Sequence, residues 1–149
     1  MSSTLRARSL ATVLCIAAVG STSALLSGCG GGLAYELKGK PPAAEAVARI
    51  DGELQEDSKS TRLSIEVDFL RTPAELAPGG KSFVVWTRKD RVSAWHKVGE
   101  LAYDAFSRKG GLAELTVAEL AFELVVSVEV QAAPTAPSSV IVLSQAVED

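Results

Sequence analysis

Arg62 to Leu70 read RLSIEVDFL, and Phe122 to Val130 read FELVVSVEV. In the first stretch Leu63, Ile65, Val67 and Phe69 alternate with Arg62, Ser64, Glu66 and Asp68. In the second, Phe122, Leu124, Val126, Val128 and Val130 lie on one face against Glu123, Ser127 and Glu129. Successive side chains of a strand point to opposite faces, so a period of two gives one dry and one wet face. A helix would repeat its apolar residues at steps of three and four. Both stretches are therefore predicted as strands, and as the central ones.

Weaker segments of the same kind surround them. Ala46 to Leu54, Lys81 to Arg88, Trp95 to Tyr103, Leu112 to Val117 and Ser139 to Ser144 carry β-branched or aromatic residues. Turn chemistry stands between the segments at EDSK, PGG, RKDR, SRKGG and APTAPSS, where Gly, Pro, Asp and Ser stabilise chain reversal. Pro73 to Leu76 has room for one helical turn. Seven short strands at roughly regular spacing predict an all-β fold, a seven-stranded antiparallel immunoglobulin-like β-sandwich over residues 43–149. Trp86, flanked by Val84 and Val85, is expected in the core of that sandwich.

Upstream, the chain changes character. Leu10 to Leu26 contain no charge, Arg6 and Arg8 precede this run, and no acidic residue occurs before Glu36. A basic n-region and a short apolar h-region form the pattern of an export signal. A spanning helix needs about 20 mostly apolar residues, and this run is interrupted by Thr12, Gly20, Ser21, Thr22 and Ser23. Cleavage after Ser23 or Ala24 would leave Cys29 as an ordinary buried cysteine. The sequence offers a more specific alternative.

Leu26-Ser27-Gly28-Cys29 resembles the lipobox of bacterial lipoproteins, an apolar residue and two small ones before a cysteine. The resemblance implies cleavage before Cys29, with Leu26, Ser27 and Gly28 recognised by the signal peptidase and Cys29 as the site of lipid attachment. A thiolate is the nucleophile such acylation needs, and small side chains admit an extended backbone to the peptidase. The only group carried would be the covalent diacylglycerol and N-acyl chain on Cys29. Each buried methylene contributes about 0.8 kcal/mol, so two or three chains hold stably where one does not. The expected organisation is residues 1–28 signal peptide, 29–42 acylated anchor and flexible linker, and 43–149 folded domain. Gly30 to Gly32 and the GKPP of Gly39 to Pro42 suggest a leash of about a dozen residues. In lipoproteins of the enteric type an Asp after the acylated cysteine favours inner-membrane retention. Gly30 in that place points to the outer membrane.

Removing the signal takes Arg6 and Arg8, changing 15 minus 18, or −3, to 13 minus 18, or −5. A mildly acidic surface without a basic stripe disfavours nucleic acid as a partner. It would also be held off anionic lipid by its leash. Cys15 leaves with the signal, so Cys29 is the one cysteine of the mature chain, and an internal disulfide is not expected. The remaining 149 minus 28, or 121, residues are enough to bury about two-thirds of their unfolded surface.

FVVWTR, VGELAYD, FELVVSVEV and PTAPSSVIVL carry a second resemblance, spread over the last 70 or so residues. They are similar to the C-terminal extracytoplasmic domain of anti-sigma-K-type factors. Trp86, Gly99, Leu101, Glu129, Pro134, Thr135, Pro137 and Val140 occupy the matching places. Val130-Gln131-Ala132-Ala133 depart from the Pro-Ala-Gly-Gly usual after the Glu. The resemblance implies fold and exported location. It does not carry transcriptional regulation, because only about eight residues precede the apolar run here and leave no sigma-binding domain.

The residue inventory points away from an enzyme. His96 is the single histidine, Ser82, Ser93 and Asp90 lie near it without a Gly-x-Ser-x-Gly elbow, and zinc would want three or four Cys or His ligands. Asp51, Glu53, Glu56 and Asp57 read as a solvated acidic turn, lacking the Asp-x-Asp-x-Asp-Gly pattern of a calcium loop. No metal is expected. Trp95 follows the polar tip RKDRVSA and is the candidate contact for a protein partner of the envelope. The sequence thus predicts a lipid-anchored, non-catalytic binding or structural module. The alternative is an envelope-side sensory module related to anti-sigma factor domains.

Overall fold

The computed structural model describes residues 32–148. Among the described residues the chain runs β1 (Gly32–Lys38), β2 (Val47–Gln55), β3 (Ser60–Asp68), α1 (Pro73–Leu76), β4 (Ser82–Arg88), β5 (His96–Glu100), β6 (Ala102–Asp104), β7 (Lys109–Val117), β8 (Phe122–Glu129) and β9 (Ile141–Val147). Five strands form one sheet in the order β1-β2-β3-β7-β6, and four form another in the order β5-β4-β8-β9. Every pairing is antiparallel. The lipobox residues and Cys29 lie outside the described residues.

The alternation that predicts β3 and β8 also decides what they bury. Leu63, Ile65 and Val67 of β3 join Ile50 of β2 on the inner face of the five-stranded sheet. Leu124, Val126 and Val128 of β8 join Phe83 and Val85 of β4 and Leu143 of β9 on the inner face of the other. These side chains pack into one apolar cluster, each contributing about 1.5–3 kcal/mol on full burial. Thr61 is buried on β3 and donates its hydroxyl to the Glu119 carbonyl at 2.7 Å, tying β3 to the β7–β8 connection. The helical turn appears as α1, where Thr72 and Glu75 form a capping box.

Among the described residues the structure has nine strands where seven were expected, for two reasons. The segment from Trp95 to Tyr103 is not one strand. It crosses between sheets at Leu101, whose N–H donates to the Phe83 carbonyl at 2.9 Å, so β5 belongs to one sheet and β6 to the other. Room for the crossing comes from glycine: a Cβ on Gly99 would stand 2.8 Å from Leu112 Cδ2, and one on Gly110 would stand 3.2 Å from Leu101 Cδ1. The second reason is β1. Residues 32–38 fall inside the expected linker, yet they pair with β2 from Gly32↔Glu53 to Lys38↔Val47. Leu33, Tyr35 and Leu37 alternate there and pack against the core edge. The folded body therefore includes Gly32–Lys38, ahead of the Ala43 expected, and in sequence two residues, Gly30 and Gly31, stand between Cys29 and β1.

Trp86 is buried, but on the opposite face from the one expected. Phe83 and Val85 point between the sheets, and Val84 and Trp86, one residue out of phase, point to the outer face of the four-stranded sheet. There they form a second cluster with Val125.

The two poles of the body differ. Gly32 pairs with Glu53, Glu53 with Arg62, and Arg62 with Thr116, so the start of β1 shares a pole with the β2–β3 turn and the end of β7. The β4–β5 loop joins this near pole, where Lys89 Nζ lies 3.7 Å from Glu119 Oε2. The far pole holds the row Lys38, Val47 and Asp68, together with the β6–β7 turn, where Lys109 pairs with Asp68 at 2.8 Å.

Candidate functional site

The outer face of the four-stranded sheet holds a buried polar chain. Trp86 and Ser127 are neighbours across β4 and β8, and the indole Nε1 donates to Ser127 Oγ at 2.9 Å. Ser127 Oγ in turn donates to Glu129 Oε1, two residues along β8 on the same face. Ser138, in the β8–β9 connection, closes the chain by donating its N–H to the same carboxylate oxygen at 2.8 Å and its hydroxyl to the Val128 carbonyl at 2.7 Å. Ser127 and Glu129 are both buried. Ser127 Oγ and Glu129 Oε1 thus find hydrogen-bond partners within the protein, as burial favours.

Trp95 covers part of this cluster. It is half-buried and packs against Trp86, Val84 and Val125 with Ile141. The Arg88 guanidinium sits 4.3 Å from its ring centroid, an arrangement contributing about 0.5–1 kcal/mol at an exposed site. Arg88 Nε also donates to Glu123 Oε2 at 2.6 Å. The candidate partner contact is thus engaged internally on one face by the cluster and is stacked by Arg88.

Beside it, at the near pole, the sheets leave a cleft of about 430 Å³, a size within the range of small-ligand sites. Val98, Val117 and Phe122 supply its apolar surface, and Thr87, Ser93 and His96 its polar rim. His96 opens β5 and is exposed. Ser93 Oγ donates to Asp90 Oδ1 at 2.8 Å, so that hydroxyl is directed to a carboxylate in its own loop. Asp90 Oδ1 also accepts the N–H groups of Val92 at 3.0 Å and Ser93 at 2.8 Å. The Ser93 hydroxyl, followed by the Val92 N–H, holds the Asp90 carboxyl below the usual carboxylate range. This turn presents Val92 with 94% of its surface exposed. In the sequence RKDR reads only as a polar turn. The signal that could have singled out Val92 is an apolar side chain with no polar alternation to bury it.

The far pole exposes two aromatics. Phe69 is 61% exposed with φ of 58°, and Phe106, at the tip of the β6–β7 turn, is 99% exposed. Arg108 Nη2 donates to the Phe69 carbonyl at 3.2 Å and to Glu45 Oε2 at 3.0 Å. Phe69 continues the alternation of β3 in sequence but leaves the strand by turning to positive φ, so it lies outside the core its pattern predicts.

Asp51 and Glu53 lie on β2 and border a shallow depression with Arg62, and Glu56 and Asp57 occupy the β2–β3 turn. Among the described residues no group of three or more His, Cys, Asp or Glu side chains is placed to hold a metal ion. No helix among them is long and apolar enough to cross a membrane. Comparison with known protein families, with curated proteins and with solved structures gives no match to this chain.

Proposed function

We propose that this chain is a lipid-anchored module of the bacterial cell envelope whose two-sheet body binds or scaffolds an envelope protein without catalysing a reaction. Residues 1–28 direct export and are removed before Cys29, and Cys29 carries the diacylglycerol and N-acyl chain. The observation that carries this reading is the position of Leu26-Ser27-Gly28-Cys29 two residues ahead of β1. The lipid is then attached at the pole that holds the cleft. Gly30 directs the protein to the outer membrane under the enteric sorting rule.

Strand order supports an immunoglobulin-like assignment. β2-β3-β7-β6 opposite β9-β8-β4-β5 corresponds to A-B-E-D opposite G-F-C-C′, with β1 as an added edge strand. A second reading, an envelope-side sensory module related to anti-sigma-K-type extracytoplasmic domains, has one observation in its favour. Two residues of that resemblance, Trp86 and Glu129, are joined through Ser127, and the Pro134-to-Pro137 turn leads into Ser138, which closes on Glu129.

A photo-cross-linking residue at Thr116, on the cleft rim, tests the binding role in intact envelopes. A discrete adduct that is lost when Cys29→Ser removes the anchor is expected. Its absence with the cross-linker at Thr116 and likewise at Ser93 would overturn the cleft as a binding site. An adduct with a membrane-embedded regulator would favour the second reading.

A further inference from the structure

We propose that the near pole rests on the bilayer and that the β4–β5 loop is a second membrane contact, with Val92 entering the headgroup layer. This rests on the acylation of Cys29 proposed above. Three peptide steps separate Cys29 from Gly32, and a fully extended chain covers at most about 11 Å in three residues. The headgroup layer is about 6 Å deep on each side of the hydrocarbon core. The near pole therefore has little room to withdraw from the surface, in contrast to a body on a dozen-residue leash.

Geometry selects the loop. β1 is the edge strand of the five-stranded sheet and packs beside β9, whereas β5 lies at the other end of the four-stranded sheet and packs beside β7. The start of β1 and the β4–β5 loop consequently occupy opposite corners of one pole, in sheets about 10 Å apart. Contact at two corners would hold the body upright, where a single tether would let it tilt. The loop's chemistry suits an anionic lipid surface. Val92 projects 94% exposed, Arg91 beside it has a side chain 91% exposed with Nε 3.8 Å from Glu123 Oε1, and that of Lys89 is 65% exposed with Nζ 3.7 Å from Glu119 Oε2. Cations of this kind are attracted to anionic headgroups, while an apolar tip gains from leaving water. Phe106 is equally bare but lies at the other end of β7. That strand has nine residues, which places Phe106 about 30 Å from this surface.

The mature acylated chain itself supplies the test. Cys29, its one cysteine, is consumed as a thioether by the lipid, so Val92→Cys and Phe106→Cys each offer a unique thiol for an environment-sensitive fluorophore. The unsubstituted chain is labelled in parallel, and labelling there would signal a free Cys29 and failure of the acylation reading itself. Each labelled protein is incorporated into phosphatidylethanolamine vesicles containing phosphatidylglycerol, with nitroxide quenchers on the lipid headgroup. The expected result is a blue shift and several-fold stronger quenching at position 92 than at position 106. Equal quenching at the two positions, or a probe at position 92 that responds as in water, would overturn the proposal while leaving acylation intact.

Discussion

Ser127→Ala tests whether the buried chain on the outer face of the four-stranded sheet holds that face together. The substitution removes one oxygen atom from a side chain with no exposed surface, so its volume effect is small and its polar effect dominates. Two hydrogen bonds vanish. The Trp86 indole, itself 1% exposed, loses its acceptor, and leaving a buried donor unpaired costs about 1–3 kcal/mol. Glu129 loses the Ser127 hydroxyl as a donor and keeps the N–H of Ser138. The combined loss is about 3 kcal/mol, a large part of the 5–15 kcal/mol that stabilises an ordinary domain. Denaturant unfolding followed by tryptophan fluorescence reads it directly, and the melting temperature should fall by about 10 °C. A double-mutant cycle separates the bond from general disruption. In Trp86→Phe/Ser127→Ala no indole is stranded, so the double variant should be more stable than the sum of the single losses implies, by about 1–3 kcal/mol. Additive losses, or a Ser127→Ala cost below about 0.5 kcal/mol, a change typical of surface sites, would refute the reasoning.

Other outcomes follow from the same structure. Phe83→Ala in the inter-sheet core should cost about 3–5 kcal/mol in chemical unfolding, because the side chain is fully buried. Gly52→Ala should destabilise by more than the few tenths of a kcal/mol expected at an exposed strand position, since the new Cβ would stand 2.6 Å from the Arg62 carbonyl oxygen on the paired strand. Asp90, Asp104 and Glu75 are all held below their ordinary range, by the hydroxyls of Ser93, Ser107 and Thr72 respectively before any other cause. Depressed carboxyls stabilise the fold above their unfolded values near 4 and lose that contribution as pH falls through the lower folded values. An acid titration of stability should therefore decline below about pH 4, and less steeply in Asp90→Asn. On a density gradient the intact protein should sediment with outer membranes, and Gly30→Asp should move it toward the inner fraction.

Where period two ran without interruption, as in β3, the sequence specified both the strand and its buried face; in β8 it specified the strand and its inner face, but Ser127 and Glu129, expected on the wet face, are buried on the outer one with Val125. Reading failed where a local cue competed with that period. Glycines on one side and GKPP on the other suggested a linker, but Leu33, Tyr35 and Leu37 between them carry enough alternation to add an edge strand to β2. The passage from Trp95 to Tyr103 looked continuous because crossing between sheets depends on a tertiary bond from Leu101 to Phe83, which no local pattern encodes. Trp86 stood among apolar neighbours on both sides, and in such a run the alternation cannot say which face is inward. The partner of its indole, Ser127, lies 41 residues away. The cleft and the exposure of Val92 arise from how the ends of the two sheets meet, which is likewise invisible in the chain. The expectation at Cys29 rests on a four-residue motif alone and lies outside the described residues.

In the proposed reading, Cys29 bears the lipid that sets this body on a membrane. Labelling cells with a fatty-acid analogue, followed by mass analysis of the amino-terminal peptide, tests it most directly. The account predicts a labelled protein whose chain begins at an acylated Cys29, and for Cys29→Ser an unlabelled precursor retaining residues 1–28. Label that persists in Cys29→Ser, or a mature chain that begins elsewhere with an unmodified Cys29, would contradict it.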